Sequence, residues 1–203
     1  MFEIFTLQNR RFPTRIGITG SPGTGKKSVG IALAKITGLD LLLINDFAIE
    51  FHLGVWQGKD FLVNLAAVRK RIDTRGRIVS GHLLPYLVPD SKIDFVVVLR
   101  CSPRTLRKRY LERNYSSEKI IENLEAEMIG VVAEKAMSVY RHEKLVELDT
   151  TKVANPKNAA KMILETIQGQ RALSFGKVDW LATQRSASAL LRTLDGSKVI
   201  TKP

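Results

Sequence analysis

The sequence predicts a three-layer α/β fold, in which helices cover both faces of a five-stranded parallel sheet. Short apolar runs alternate along the chain with longer segments whose apolar residues recur at helical spacing. Three of the short runs, LLLI, FVVVL and LVEL, are almost wholly apolar, as in parallel strands that are buried on both faces. Strands that alternate with helices indicate βαβ units with right-handed crossovers.

The elements follow one another in this alternating order. The predicted strands are Arg15–Thr19, Leu41–Ile44, Arg77–Ser80, Asp94–Leu99 and Leu145–Asp149. The predicted helices are Lys26–Thr37, Leu62–Arg75, Pro103–Arg113, Ser117–Val139 and Pro156–Gln168. We therefore expect one domain over residues 1–168 and a basic C-terminal extension over 169–203. Within the extension, 178–194 has the pattern of a docked helix, with a flexible tail as the alternative.

The composition limits the class of protein and the kind of partner that it could bind. The 203 residues include 32 Lys and Arg against 20 Asp and Glu, a net charge of +12, so an anionic partner is expected. No apolar run approaches the ~20 residues of a membrane helix, and no secretory signal is evident, which predicts a cytoplasmic protein without a membrane partner. The single cysteine, Cys101, excludes an internal disulfide.

The strongest motif is a glycine-rich loop between the first strand and the first helix. It reads GSPGTGKKS, and its glycines allow the close approach and backbone angles that phosphate binding requires. Loop amides and the start of the helix then face the anionic oxygens, while Lys26 adds a mobile charge. This predicts a P-loop fold. The residues expected to contact ATP here are Gly20, Ser21, Pro22, Gly23, Thr24, Gly25, Lys26, Lys27 and Ser28.

One position of the loop departs from the strict motif G-x-x-x-x-G-K-[ST]. The hydroxyl residue that would ligate Mg²⁺ is replaced by Lys27, and a hydroxyl follows only at Ser28, which is a weak metal candidate. A cation within ~4 Å of the metal would be repelled by several kcal/mol. Either Lys27 points away, or the metal is held mainly by nucleotide oxygens and water.

Further segments form an ordered set that is more specific than the loop alone. They are NDFAIE from Asn45, RIVSGHL from Arg77, VVVLRCSPRTLRKRYLERNY from Val96, SEKIIENLEAEM from Ser117, and DTTKVANP from Asp149. Together with the loop, they resemble the small atypical adenylate kinases of the isoenzyme-six type, a nuclear and archaeal family of P-loop nucleoside monophosphate kinases. The resemblance covers about residues 14–168, and GKVDW from Gly176 resembles the family's C-terminal end.

The resemblance implies reversible phosphoryl transfer from ATP to AMP, a slow ATPase activity, and a role in small ribosomal subunit maturation through a ribosomal protein. It also implies the site residues. Lys26 and the loop hold the ATP phosphates, and Arg109 and Arg113 belong to a short lid over residues 109–119. In the adenine loop, Lys152 and Ala154 contact ATP, whereas Asp46 and His82 border AMP. The implied catalytic residues are Lys26, Arg109, Arg113 and His82.

The residues themselves support part of this assignment. Arg109 and Arg113 are spaced i, i+4 and share a helix face, and guanidinium groups suit the spread charge of phosphoryl transfer. His82 follows a strand at the sheet edge that binds ligands in α/β folds, although a structural histidine is equally consistent with its position. Asp46 could instead cap the helix after the second strand.

A second position expected near the metal also departs from the family. Ser80 stands where the family usually carries an acidic residue, just as Lys27 stands where it carries a hydroxyl residue. Three functions therefore remain open: an ATP:AMP phosphotransferase, a nucleotide-switched ribosome assembly factor with little kinase activity, and another small-molecule kinase of the shikimate or gluconate type. Basic residues in 69–77 and in the C-terminal extension exceed what nucleotide phosphates require, and they could bind ribosomal RNA.

Overall fold

A computed structural model of the chain describes residues 13–182, and its centre is a parallel sheet. Five strands form this sheet in the order β2-β5-β1-β6-β7, all parallel. They are β1 (Arg15–Thr19), β2 (Asp40–Leu43), β5 (Arg77–Ser80), β6 (Phe95–Arg100) and β7 (Leu145–Asp149). A separate antiparallel hairpin pairs β3 (Gly54–Gln57) with β4 (Asp60–Val63). The prediction of a five-stranded parallel sheet is confirmed.

Helices cover both faces of the sheet. They are α1 (Lys26–Thr37), α2 (Ile44–Glu50), α3 (Leu65–Arg71), α4 (Leu84–Leu87), α5 (Pro103–Glu112), α6 (Ser117–Met128), α7 (Val131–Val139) and α8 (Pro156–Ile167). On one face, α1 and α8 bury Leu33 and Ile163 against β1 and β6. On the other face, α2, α3, α4 and α7 enclose a second core that includes Ile44, Val68 and Leu84. This three-layer arrangement explains why the strands are apolar on both sides.

Two predicted helices differ from the structure. The segment Leu62–Arg75 was expected to be one helix, but its first residues belong to β4, and α3 begins only after Asn64, whose side chain accepts a hydrogen bond from the Ala67 amide. The segment Ser117–Val139 is divided by Gly130, which has a left-handed φ of 73° between α6 and α7. In both cases a residue that favours a helix end, Asn64 or Gly130, interrupts an apolar pattern that would otherwise predict one continuous helix.

The predicted C-terminal helix over 178–194 is wrong at its start. Residues 178–182 are not helical, and Gly176–Trp180 instead lies as an irregular segment against the β6 and α6 region, as its contacts below show. The remainder of that predicted helix lies outside the described residues. Between residues 13 and 182, none of the helices has both the length and the apolar composition that crossing a bilayer requires.

The carboxyl ends of the five parallel strands meet at one edge of the sheet. The phosphate loop follows β1, α2 follows β2, His82 comes shortly after β5, and Lys152 follows β7. In open α/β sheets this edge is where ligands bind. The topology thus gathers the predicted site residues from distant parts of the chain.

Candidate functional site

The phosphate loop is held close to β6 and α5, and two of its glycines are required for that approach. At Gly20, with φ of +132°, an added Cβ would lie 2.1 Å from the Leu99 carbonyl oxygen. At Gly23, with φ of +79°, it would lie 2.8 Å from the Tyr110 ring. Any side chain at Gly20 would therefore collide with the backbone of the neighbouring strand, which explains a glycine there.

Lys26 begins α1 and folds back over the loop. Its Nζ donates hydrogen bonds of 2.8 Å to the carbonyl oxygens of both Gly20 and Ser21. Burial lowers the pKa of the Lys26 ammonium to about 7, the Glu127 carboxylate acts in the opposite direction, and the Arg113 guanidinium lowers the pKa further. An anionic ligand beside Lys26 would raise this pKa again, because it stabilises the charged ammonium.

Helix α5 contributes a cation to the same loop. Nη1 of Arg109 donates a 2.7 Å hydrogen bond to the Gly23 carbonyl oxygen, and the Tyr110 hydroxyl donates a 2.6 Å bond to that of Pro22. Arg113 follows at the end of α5, where it is exposed and close enough to influence Lys26. Both arginines predicted for the lid therefore lie on the side of the loop that carries Lys26.

The phosphate loop is held by a buried carboxylate, Glu127, that the sequence analysis did not predict as a site residue. Glu127 of α6 is 1% exposed, and its Oε2 accepts a 2.6 Å hydrogen bond from the Ser21 hydroxyl. Its Oε1 accepts from Arg100 Nε at 2.8 Å and from the Cys101 amide at 3.1 Å. A signal was available in the sequence, because Glu127 continues the buried stripe of Ile120 and Leu124 at helical spacing. A charge on such a stripe requires a partner.

Arg100, the last residue of β6, is a buried cation. The residue is 4% exposed and its guanidinium donates to two buried carboxylates, Glu127 and Glu147. The distance from Nη1 of Arg100 to Oε1 of Glu147 is 2.7 Å. Arg100 is therefore part of the interior and contributes nothing to a surface that could bind nucleic acid.

The Lys27 side chain crosses to the neighbouring helix α2. Its Nζ lies 3.0 Å from Oδ2 of Asp46 in the first turn of α2, and both side chains are largely exposed. Asp46 is not a helix cap, because α2 is preceded by Leu43 and has no side-chain cap. The ion pair joins the phosphate loop to the helix expected to border AMP. Ser28 is exposed on α1.

Two buried hydroxyls at the ends of adjacent strands have no hydrogen-bond partner: Thr19 Oγ1 of β1 and Ser80 Oγ of β5. Unpaired buried polar atoms are costly, so a function for them is expected. Nearby, burial and then the charge of Lys26 lower the pKa of His82 to about 4. His82 is therefore neutral at ordinary pH, and it can exchange hydrogen bonds with a ligand but not supply a positive charge.

The loop after β7 is tied to the phosphate loop. The Thr150 hydroxyl lies 3.1 Å from the Thr24 carbonyl oxygen and 2.9 Å from that of Arg100. The predicted adenine-contacting residues Lys152 and Ala154 follow and are exposed. Thr24 is buried, and its hydroxyl donates to the Ser21 carbonyl oxygen at 2.9 Å. These bonds bring the predicted adenine and phosphate subsites together.

The residues present fit a magnesium ion that is carried mainly by nucleotide oxygens and water. Across residues 13–182, no cluster of three or more His, Cys, Asp or Glu side chains could hold a metal. Asp46 is engaged by Lys27, and Ser28 is exposed. The unpaired hydroxyls of Thr19 and Ser80 are the available oxygen groups at the strand ends, and they suit a water molecule of the metal's hydration shell.

A family model and several relatives are similar to this chain. A family model described as an AAA domain matches residues 16–130. A protein of Thermococcus gammatolerans named "Putative adenylate kinase" is 36% identical over 169 residues, which are 81% of this chain and 92% of that protein. Another with the same name, from Archaeoglobus fulgidus, is 35% identical over 82% of this chain and 92% of its own length.

Solved structures show the same fold. A shikimate kinase from Acinetobacter baumannii, in complex with shikimate, superposes with a TM-score of 0.55 at 16% identity, over 77% of this chain and 93% of that chain. A shikimate kinase from Bacteroides thetaiotaomicron gives 0.54 at 16% identity, over 77% of this chain and 99% of that chain. The P-loop kinase fold predicted from the sequence is confirmed. Such kinases generally use ATP and Mg²⁺. The chain belongs to the family of small P-loop kinases whose archaeal members are named "Putative adenylate kinase".

Proposed function

We propose that the protein transfers the γ-phosphoryl group of ATP to AMP, yielding two ADP, with a slow hydrolysis of ATP when AMP is absent. The observation that carries the proposal is the pairing of Lys26 and Arg109 around one glycine-rich loop, each bonded to its carbonyl oxygens. Both cations would exchange these bonds for phosphate oxygens when ATP binds. The choice of AMP as acceptor draws on the names of the relatives.

The donor side would act by positioning and by charge. The loop amides from Gly20 to Gly25 and the ammonium of Lys26 hold the β- and γ-phosphates. Arg109, joined by Arg113, balances the charge that develops on the transferred group, and the magnesium ion bound to the nucleotide shares this task. Lys152 and Ala154 flank the adenine. The end of α5 and the start of α6 form the short lid.

On the acceptor side, AMP would lie between α2 and the end of β5. Asp46 and His82 are the polar side chains expected there, and the neutral imidazole of His82 would exchange hydrogen bonds with the acceptor. Lys27 links this side to the phosphate loop through Asp46.

The test is a coupled assay of ADP formation from ATP, with and without AMP and with and without Mg²⁺. Adenylate kinase activity requires that AMP stimulate ADP formation by at least an order of magnitude. If labelled ATP binds but AMP brings no stimulation, the proposed acceptor is wrong. Screening shikimate, gluconate and other nucleoside monophosphates in the same assay then identifies or excludes a different small-molecule kinase.

A second candidate function is favoured by the altered metal positions, Lys27 and Ser80. If these changes suppress turnover, the nucleotide site would serve as a switch in a ribosome assembly factor that binds a ribosomal protein or ribosomal RNA. The double variant Lys27→Thr with Ser80→Asp restores the usual hydroxyl and carboxylate. An increase in Mg²⁺-dependent turnover would show that the natural residues restrain catalysis, and unchanged turnover would contradict this second candidate.

A further inference from the structure

The C-terminal segment Gly176–Trp180, named here the C-terminal strap, closes over the buried charges beneath the phosphate loop. Its indole Nε1 at Trp180 donates a 3.0 Å hydrogen bond to Oε1 of Glu127. The amides of Lys177 and Val178 donate to Oε2 of Glu147 at 3.1 and 3.0 Å. The strap therefore supplies three N–H donors to two carboxylates that are otherwise buried in the interior.

These donors are needed because the buried charges do not balance. Glu127 and Glu147 carry two negative charges, and Arg100 supplies one positive charge between them. A further cation that interacts electrostatically with Glu127 is Lys26, whose pKa of about 7 leaves it only partly protonated near neutral pH. A buried carboxylate without enough donors is strongly destabilised. The strap N–H groups and the charge of Lys26 thus both stabilise this cluster.

A continuous chain of hydrogen bonds connects the strap to the loop. Trp180 bonds to one oxygen of Glu127, and the other oxygen accepts the Ser21 hydroxyl at 2.6 Å. Ser21 also presents its carbonyl oxygen to Lys26 Nζ at 2.8 Å. Trp180 and Lys26 are more than 150 positions apart in the sequence, yet only Glu127 and Ser21 separate them in this chain of contacts.

We propose that the C-terminal strap positions the phosphate loop, with Trp180 and Glu127 as positioning residues, and that nucleotide binding and strap docking therefore favour one another. The proposal rests on nucleotide binding at the loop, as in the proposed function. When ATP draws Lys26 towards its phosphates, Ser21 keeps its bond to Glu127 only if that carboxylate is held in place. The strap holds it. Linkage requires that bound nucleotide stabilise the strap to the same degree.

The test measures affinity for a fluorescent ATP analogue in the full chain. Trp180→Phe retains the ring but removes the N–H donor, and Ser21→Ala removes the hydroxyl. We expect each variant to raise the Kd by at least about tenfold, the effect of one hydrogen bond to a charged group. Because both substitutions act through Glu127, their effects should not add. The Kd of the double variant should be about equal to that of the single variant that binds the analogue less tightly. Leu181→Ala, an exposed neighbour of Trp180, is the control and should leave the Kd unchanged.

Hydrogen–deuterium exchange gives the reciprocal measurement. Saturating nucleotide should slow exchange at the Lys177 and Val178 amides in the natural chain, and Ser21→Ala should abolish this protection. The proposal is overturned if Trp180→Phe lowers the melting temperature but leaves the Kd unchanged. It is also overturned if nucleotide does not change the exchange rate of the strap amides, because the strap is then purely structural. If the natural chain binds no ATP analogue, the proposed function fails first and the coupling falls with it.

Discussion

The two halves of the candidate site are held by different kinds of interaction. On the donor side, the phosphate loop rests on Ser21, Glu127 and Arg100, all buried and joined by short hydrogen bonds. On the proposed acceptor side, the Lys27–Asp46 pair is largely exposed, and the Lys119–Asp60 pair, which links α6 to the β3–β4 hairpin, is partly exposed. Water and salt weaken exposed pairs far more than buried ones. The donor half is thus preorganised, while the acceptor half can adjust to its ligand.

The largest effect should come from the donor side. Replacing Lys26 with Met removes the ammonium that bonds the loop and should lower turnover by on the order of a thousandfold, since such charges act mainly in the transition state. Steady-state ADP formation measures this loss. Lys35→Met, an exposed lysine on the same helix, is the matched control. A decrease below tenfold at Lys26 would contradict the assignment of the donor half.

Glu127→Ala should cost about 3 kcal/mol of folding free energy, because Arg100 and Ser21 are left with unsatisfied buried groups. For a chain of this size the melting temperature should fall by on the order of 10 °C. Glu125→Ala removes an exposed carboxylate from the same helix and should change melting by a degree or less. Equal shifts in the two variants would show that the buried network does not stabilise the donor half.

The pKa of about 7 at Lys26 predicts a pH dependence of nucleotide binding. Above pH 7 the ammonium is increasingly deprotonated in the free protein, so binding must take up a proton. Affinity should therefore fall by up to about tenfold per pH unit between pH 7.5 and 9, until the pKa of the complex is reached. Titration calorimetry in buffers of different ionisation enthalpy measures the proton uptake. In Lys26→Arg, which stays charged, the slope should vanish.

The smallest effect is expected on the acceptor side. Asp60→Asn breaks the pair between the hairpin and Lys119 of α6, and it should change the free energy of unfolding by less than about 1 kcal/mol. The KM for AMP should then shift more than the affinity for ATP. If Asp60→Asn destabilised the chain as much as Glu127→Ala, the contrast between a buried donor half and an exposed acceptor half would be wrong.

Local sequence patterns determined the sheet, the phosphate loop and the bounds of helices α1, α5 and α8. Helix α1 agrees in both bounds with its prediction, and the other predicted strands and helices of the sheet layers agree within a residue or two, apart from the two helices corrected above. Apolar periodicity and glycine placement are short-range signals, so one sequence suffices to read them. The hairpin β3–β4 was missed because its strands are short and half-exposed, which leaves a weak alternating pattern.

Only the tertiary structure decided how charges are paired. The sequence alone left the partners of Arg100 and the direction of Lys27 open, whereas the fold buries Arg100 between two carboxylates and pairs Lys27 with Asp46. It also brought Trp180 to Glu127, across 53 positions of the chain. Partners so far apart in sequence leave no periodic trace, because their distance depends on how the layers pack. The sequence by itself thus determined the phosphate loop, and the packing determined what holds that loop in place.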